Sequence, residues 1–237
     1  MKQHKKLTIL AVIILLSGCN DFFMICSLNP FYTEKKIVLE PKMEGTWAAD
    51  SSNLLIQGGK DNPVWRLSDT SLVWKITRQI DRETKKGVDG KDSVSMIPRN
   101  YYSIQFRDLQ TDSTVYQFKM VLFLVKGVQF ADIMPSASTF TEKSRMAKEN
   151  YLMVHTLAKV FLEPNSIRLS WLSEECMRDM IENKHVRSKF VYSTSINRLL
   201  LTGSSERLYE MLERHAGEKR FIDWEAQPAI MTLKKLN

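Results

Sequence analysis

Few residues in this chain have the types and spacing that catalytic or metal chemistry requires. The four histidines lie far apart, and neither CxxC nor HExxH occurs, so the sequence predicts no metal site. The motifs that present a nucleophilic serine or cradle a phosphate, such as Gly-x-Ser-x-Gly, Ser-x-x-Lys and the Walker loop, are also missing from the sequence. We therefore expect no cofactor and no enzyme activity. A hydrolase assembled from residues distant in the sequence stays open.

The most specific pattern is at the N-terminus. Three lysines precede an apolar run from Leu7 to Leu16, as in a secretory signal peptide, and this run is about half of the ~20 residues that span a bilayer. The tetrapeptide Leu16-Ser17-Gly18-Cys19 resembles the lipobox of bacterial lipoproteins. That resemblance implies cleavage after residue 18, acylation of Cys19 with chains such as palmitate, and a membrane anchor at Cys19.

The alternative is an uncleaved transmembrane helix that continues through Phe22 to Ile25. It would bury Asn20 and Asp21, and a central aspartate costs ~3 kcal/mol on insertion scales. In the lipoproteins that this chain resembles, an aspartate after the lipidated cysteine retains the protein in the inner membrane. Because Asn20 stands there, the resemblance implies the bacterial outer membrane and leaves open whether the domain faces the periplasm or the exterior.

The charge of the chain argues against a nucleic-acid partner, and its cysteines allow one disulfide. Loss of residues 1–18, with three lysines, lowers the formal charge of the 237-residue chain from +7 to +4. Acidic and basic residues are interspersed, so no nucleic-acid partner is expected. Only Cys26 and Cys176 remain after Cys19, and an oxidising compartment would allow them to pair, an alternative that the sequence leaves open.

The rest of the chain predicts a mainly β fold. We expect a signal peptide at 1–18, a lipidated cysteine and tether at 19–42, and one β-rich domain at 43–237. Apolar residues alternate with polar ones along Leu72 to Thr77, Tyr102 to Arg107 and Tyr116 to Met120, which indicates antiparallel strands with one buried face. Turn-forming residues separate consecutive strands and indicate a meander of hairpins.

Two helices are expected in the C-terminal third, capped by Ser173 and Ser204 and carrying apolar residues at helical spacing. The predicted fold is therefore α+β, with an antiparallel meander that closes into a barrel-like sheet. Two long polar segments, Arg82 to Ser93 and Ser136 to Asn150, are expected to be loops.

Gly45-Thr46-Trp47 resembles the Gly-x-Trp signature on the first strand of lipocalin-type barrels, where the tryptophan closes the barrel floor. This resemblance implies a barrel, whereas a generic buried tryptophan is the alternative. The residues expected to line a ligand cavity or to fill the core are Trp47, Trp65, Trp74, Tyr102, Phe106 and Phe118. Ile104, Tyr116 and Met120 are expected on the same inward face. Because so many large rings compete for a small interior, we expect the core to be mainly filled.

The sequence thus predicts a lipid-anchored envelope protein that acts as a non-enzymatic binding or accessory module. Its partners would be the membrane, through the lipid on Cys19, and either an envelope protein or a small apolar molecule. The alternative function is a carrier of a small apolar ligand in a lipocalin-like barrel.

Overall fold

Alternating apolar and polar residues build most of this molecule into one sheet. The computed structural model describes residues 24–49, 72–86, 92–108, 114–136, 153–193, 198–216 and 230–236. The strands in chain order are β1 (Cys26–Ser27), β2 (Ile37–Val38), β3 (Gly45–Ala49), β4 (Leu72–Lys86), β5 (Asp92–Asp108), β6 (Thr114–Val125), β7 (Val128–Pro135), β8 (His155–Glu163), β9 (Ser166–Trp171), β10 (Phe190–Ser193), β11 (Arg198–Leu201) and β12 (Ile230–Lys235). The α-helices are α1 (Glu174–Glu182) and α2 (Ser205–His215), and two short 3-10 helices cover Glu34–Lys36 and Pro41–Met43.

Eight of these strands form a closed barrel. Strands β3 to β9 follow one another around it, each antiparallel to the next. The last strand, β12, pairs with β3 on one side and with β9 on the other, so the ring has no open edge. The predicted fold, an antiparallel meander that closes into a barrel with two C-terminal helices, is therefore confirmed.

The β6–β7 hairpin shows how local sequence directs the meander. Lys126 and Gly127 have φ angles of 48° and 80° and form a two-residue turn between the strands. Positive φ at both central residues gives the backbone twist that two antiparallel strands need, and glycine adopts it without strain.

The pleat divides the side chains of the barrel wall between two cores. On β6 to β8, Leu122, Ala131 and Ala158 face the barrel interior, whereas Phe123 and Phe130 face outward into a second core. The outward residues are covered by α1 and α2, whose buried side chains include Met177, Met180, Leu208, Met211 and Leu212. A short extension of the sheet, in the order β10, β11, β1, joins this second layer to β8.

The N-terminal segment differs from the expectation of a tether at 19–42. β1 pairs with both β8 and β11, and β2 pairs with β6. Ile25, Phe31 and Met43 are completely buried. Burial of large apolar side chains is the physical reason that this segment packs as part of the fold. The prediction of a tether is therefore wrong for residues 24–42, which pack as part of the fold.

Two further expectations need correction. The predicted loop from Arg82 to Ser93 is mostly strand, since β4 and β5 remain paired as far as Lys86 and Asp92. Ser204 occupies the N-cap position of α2, but its side chain accepts no capping hydrogen bond from the helix backbone. Ser173, in contrast, accepts one from the Cys176 amide at 3.0 Å, as predicted for α1. Of the segment 136–150, only Ser136 lies within the described residues.

Candidate functional site

Five of the six aromatic residues singled out from the sequence lie together inside the barrel. Trp47, Trp74, Tyr102, Phe106 and Phe118 are each at most 2% exposed and share one core with Ile104 and Met120. Trp65 and Cys19 lie outside the described residues, as does the side chain of Tyr116. Inward-facing alternate positions on β3 to β6 bring these rings together.

The rings pack directly against one another. Phe106 meets Trp74 at a centroid distance of 4.4 Å and an interplanar angle of 73°, and it meets Phe118 at 5.2 Å and 83°. These edge-to-face contacts place the positive ring edge against the negative face of the neighbouring ring, which adds about 0.5–1.5 kcal/mol per pair beyond burial. Because Trp74, Phe106 and Phe118 come from the adjacent strands β4, β5 and β6, these contacts run along one side of the barrel interior.

Residues 40–43 bond to two of the interior aromatic residues. The indole nitrogen of Trp47 donates to the Met43 carbonyl at 3.1 Å, and the ammonium group of Lys235 lies 5.2 Å from the Trp47 ring. The Tyr102 hydroxyl donates to the Glu40 carbonyl at 2.9 Å and accepts from the Glu40 amide at 2.7 Å. Burial is the main cause that raises the pKa of Tyr102 above its ordinary value. The polar ends of both rings are therefore satisfied within the fold.

A buried histidine–carboxylate pair lies on the outer face of the barrel wall. His155 Nδ1 is 2.6 Å from Asp132 Oδ1, and Asp132 Oδ2 accepts from the Phe31 amide at 2.8 Å. Such a pair can orient an imidazole as a general base. Two buried hydroxyls lie next to His155, because Ser27 pairs with it and Thr156 follows it on β8. They donate to the carbonyls of Leu201 and Ile133 and not to the imidazole. The pair therefore holds the N-terminal segment to the barrel.

A second buried carboxylate, Glu174, joins three elements. Its Oε1 accepts from the Arg178 guanidinium at 2.8 Å and from the Leu199 amide at 2.7 Å, and its Oε2 accepts from Arg198 Nε at 2.9 Å. Arg198 also reaches the Met24 carbonyl at 3.5 Å and Cys26 Sγ at 3.7 Å. Burial is the main cause that raises the pKa of the Cys26 thiol. The site is structural, because it links α1 to β11 and β1.

Sequence reasoning missed both carboxylate sites. Glu174 is the first residue of α1, but its partner Arg198 comes from β11. His155 has no acidic neighbour in sequence, and Asp132 reaches it from β7. The sequence does contain one signal for this site, a charged residue within an otherwise mainly apolar strand. Asp132 is that residue in the run from Val128 to Ile133. His185 follows the end of α1, and His215 is the last residue of α2. Cys26 and Cys176 are not bonded to each other.

Two clefts lie outside the barrel interior. One, of about 360 Å³, lies along β4 to β7 and contains Gln117, which donates to Ser103 Oγ at 2.9 Å, and Lys119, which lies 4.5 Å from the Tyr101 ring. The other, of about 400 Å³, lies where the chain leaves α1 and enters β10, and it is basic. Both volumes fall in the range of small-molecule sites.

No three His, Cys, Asp or Glu residues converge to hold a metal ion in the described part of the chain. Among the described residues, no helix has the length and apolar content needed to cross a bilayer. Comparison of the chain with protein-family models, curated proteins and solved structures finds no match. The functional assignment therefore depends on the residues and their geometry.

Proposed function

We propose that this protein is a lipid-anchored module of the bacterial envelope, in the outer membrane, that acts by binding and not by catalysis. Its partner contacts the outer surface or the loops, and the barrel interior serves as a scaffold. The observation that carries the proposal is the burial of the interior rings, since Trp74, Phe106 and Phe118 are each only 2% exposed and so leave little surface that could face a ligand-sized void.

A carrier needs a void of about 300 Å³ or more for its ligand. An eight-stranded barrel is just wide enough for side chains or for one small ligand. Trp47, Trp171 and Tyr102 add three more large, fully buried side chains to the same interior. Residues 40–43 also bond to Trp47 and Tyr102. Both features favour a binding module that works through its exterior over the alternative, a carrier of a small apolar ligand.

The interior is tested by titration with apolar fluorescent probes and with extracted membrane lipid, followed through tryptophan quenching. We expect no saturable binding to the unsubstituted protein. The matched variant is Phe106→Ala, which removes the central ring and leaves a cavity of the kind that accepts benzene-sized molecules. Saturable one-to-one binding at micromolar concentration to the unsubstituted protein would contradict the filled interior and favour the carrier.

The anchor is tested by Cys19→Ser. Acyl chains bury about 0.8 kcal/mol per methylene in a bilayer, so the unsubstituted protein should partition into the detergent phase of a Triton X-114 extract. The variant should remain uncleaved or become aqueous. Cys26→Ser is the matched control and should still partition into detergent. A cleaved Cys19→Ser protein that remains in the detergent phase would show that the anchor lies elsewhere.

A further inference from the structure

An apolar strand lies at the outer edge of the sheet extension. Among the described strands, β10 pairs with β11 alone, so its other edge is uncovered there. Phe190, Val191 and Tyr192 are 44%, 58% and 39% exposed, and the Arg178 guanidinium lies 5.1 Å from the Tyr192 ring. Proteins usually protect such edges with charges, bulges or a covering element. An exposed edge with this many apolar side chains therefore indicates an interaction surface.

Cations adjoin this strand. The basic cleft at the start of β10 is lined by Lys184, Arg187, Lys189 and Arg207 together with Phe190, and no carboxylate belongs to its described lining. The acidic residues next to this lining in sequence are Glu182, which follows Ile181 at the end of α1, and Glu206, which precedes Arg207 on α2. Cations beside exposed aromatic and aliphatic side chains are typical of surfaces that lie in the headgroup region of a membrane.

The position of β10 relative to the N-terminal segment brings it close to the proposed anchor. Cys26 pairs with Leu200, and Leu200 pairs with Val191, so Val191 lies two strand spacings, about 10 Å, from Cys26. Only residues 20–23 separate Cys19 from Met24. Even when fully extended, this connection spans at most about 18 Å. A lipid on Cys19 therefore places β10 within reach of the lipid headgroups.

We infer that the β10 surface, defined as Phe190, Val191 and Tyr192 with Lys184, Arg187, Lys189 and Arg207, lies against the anionic surface of the membrane that holds the Cys19 lipid. This inference rests on the proposed lipid anchor. The cations contact headgroup phosphates, and the apolar side chains enter the interfacial layer. Each lysine or arginine near an anionic surface favours contact about fivefold at low salt. The contact fixes the orientation of the barrel, so that the face across from β10 is the one presented to other partners.

The test uses the intact protein, expressed with its own signal peptide and reconstituted into vesicles. One set contains phosphatidylglycerol and phosphatidylethanolamine, and the other contains phosphatidylcholine alone. Hydrogen–deuterium exchange is measured on peptides that cover residues 184–193. We expect these amides to exchange at least about fivefold more slowly on the anionic vesicles. Arg187→Glu/Lys189→Glu should abolish the difference, whereas Lys75→Glu/Arg99→Glu, an equal charge change on β4 and β5 across the barrel, should preserve it.

Exchange of the paired β8 and β9 amides in the same samples reports whether each variant is folded. Equal β10 exchange on both kinds of vesicle, with the protein floating on both, would overturn the inference and leave the anchor intact. If the unsubstituted protein fails to float on phosphatidylcholine, Cys19 carries no lipid and both proposals fall. A further outcome concerns the protein before reconstitution. If the β10 amides already exchange slowly there, and more slowly as the protein concentration rises, a second copy covers this edge, which also overturns the inference.

Discussion

At the scale of single residues, the molecule depends on a few buried polar groups that are fully bonded. Glu174 is 3% exposed in its side chain and holds two arginines and a backbone amide. When one partner of a buried charge is removed, the remaining groups stay unpaired away from water. The free-energy penalty of those unpaired groups exceeds what the intact interaction contributes to stability. Substitution of a buried carboxylate should therefore destabilise the fold clearly, although these residues lie outside both hydrophobic cores.

Glu174→Gln tests this expectation. The amide keeps the size of the side chain but removes the charge that Arg178 and Arg198 share. Both arginines are partly exposed, so water compensates in part, and we expect the free energy of unfolding in urea to fall by about 2 kcal/mol. The matched control is Glu175→Gln, because Glu175 is the exposed neighbour, and this variant should change stability by less than about 0.5 kcal/mol. Equal effects of the two variants would contradict the assigned role of Glu174.

Tyr32 predicts a loss of stability at alkaline pH. Burial, with smaller contributions from the charges of Asp132 and Glu34, raises the pKa of Tyr32 to about 12 from an ordinary value of 10. Its contribution is fully present below the unfolded pKa and is lost as pH rises through the folded pKa, because the unfolded state releases the proton first. Tyr32→Phe should therefore lose less stability between pH 9 and pH 11. After discounting for partial exposure, the difference should be at most ~1 kcal/mol in urea unfolding. Identical pH profiles would show that the hydroxyl is not shielded.

At the scale of elements, the segment at residues 24–43 closes gaps that the barrel leaves. β1 pairs with the part of the β8 edge that β9 does not reach. In the same way, β2 pairs with the part of the β6 edge that β5 does not reach. The Phe31 side chain is buried in the second core with Phe123. This segment should therefore contribute to stability as a core element, although its sequence has little periodicity.

Phe31→Ala measures that contribution. Removal of a fully buried phenylalanine typically costs 3–5 kcal/mol, so we expect a loss of about 3 kcal/mol or more in the free energy of unfolding. Phe190→Ala removes the same side chain from an exposed position and should change stability by less than about 1 kcal/mol. If Phe31→Ala is as mild as its control, residues 24–43 behave as the tether that the sequence predicts.

At the scale of the whole molecule, closure of the barrel depends on its last strand. β12 supplies the partner for both β3 and β9, and its Met231 and Leu233 side chains are buried in the interior core. Without β12, two strand edges and the aromatic interior would meet water. A closed barrel should therefore unfold as one cooperative unit.

Truncation tests this cooperativity. A chain that ends at residue 229 should lose the near-ultraviolet circular dichroism of the packed tryptophans and should bind the dye ANS, as expanded states do. A chain that ends at Leu236 retains all of β12 and serves as the control. A cooperative, dye-free unfolding transition in the shorter chain would show that seven strands suffice.

Much of this fold follows from local sequence, because backbone geometry converts period-two and period-3.6 patterns directly into buried faces. The inward set of Trp74, Ile104 and Phe106 could be assigned in this way, as could the Lys126-Gly127 turn and the Ser173 cap. Each of these features is determined by residues within a few positions of one another. The predicted tether at 19–42 is wrong for residues 24–42, because these residues pack through isolated apolar contacts that have no period.

Contacts between distant residues were decided only by the tertiary structure. The pairing of β12 with β3 joins strands about 185 residues apart, for which local patterns carry no information on partner or register. The same holds for Asp132 with His155 and for Glu174 with Arg198, where each partner alone is an ordinary polar residue. Whether the inward rings fill or line the interior also depends on how eight strands converge, since ring contacts across the barrel are set by its radius and not by any one strand.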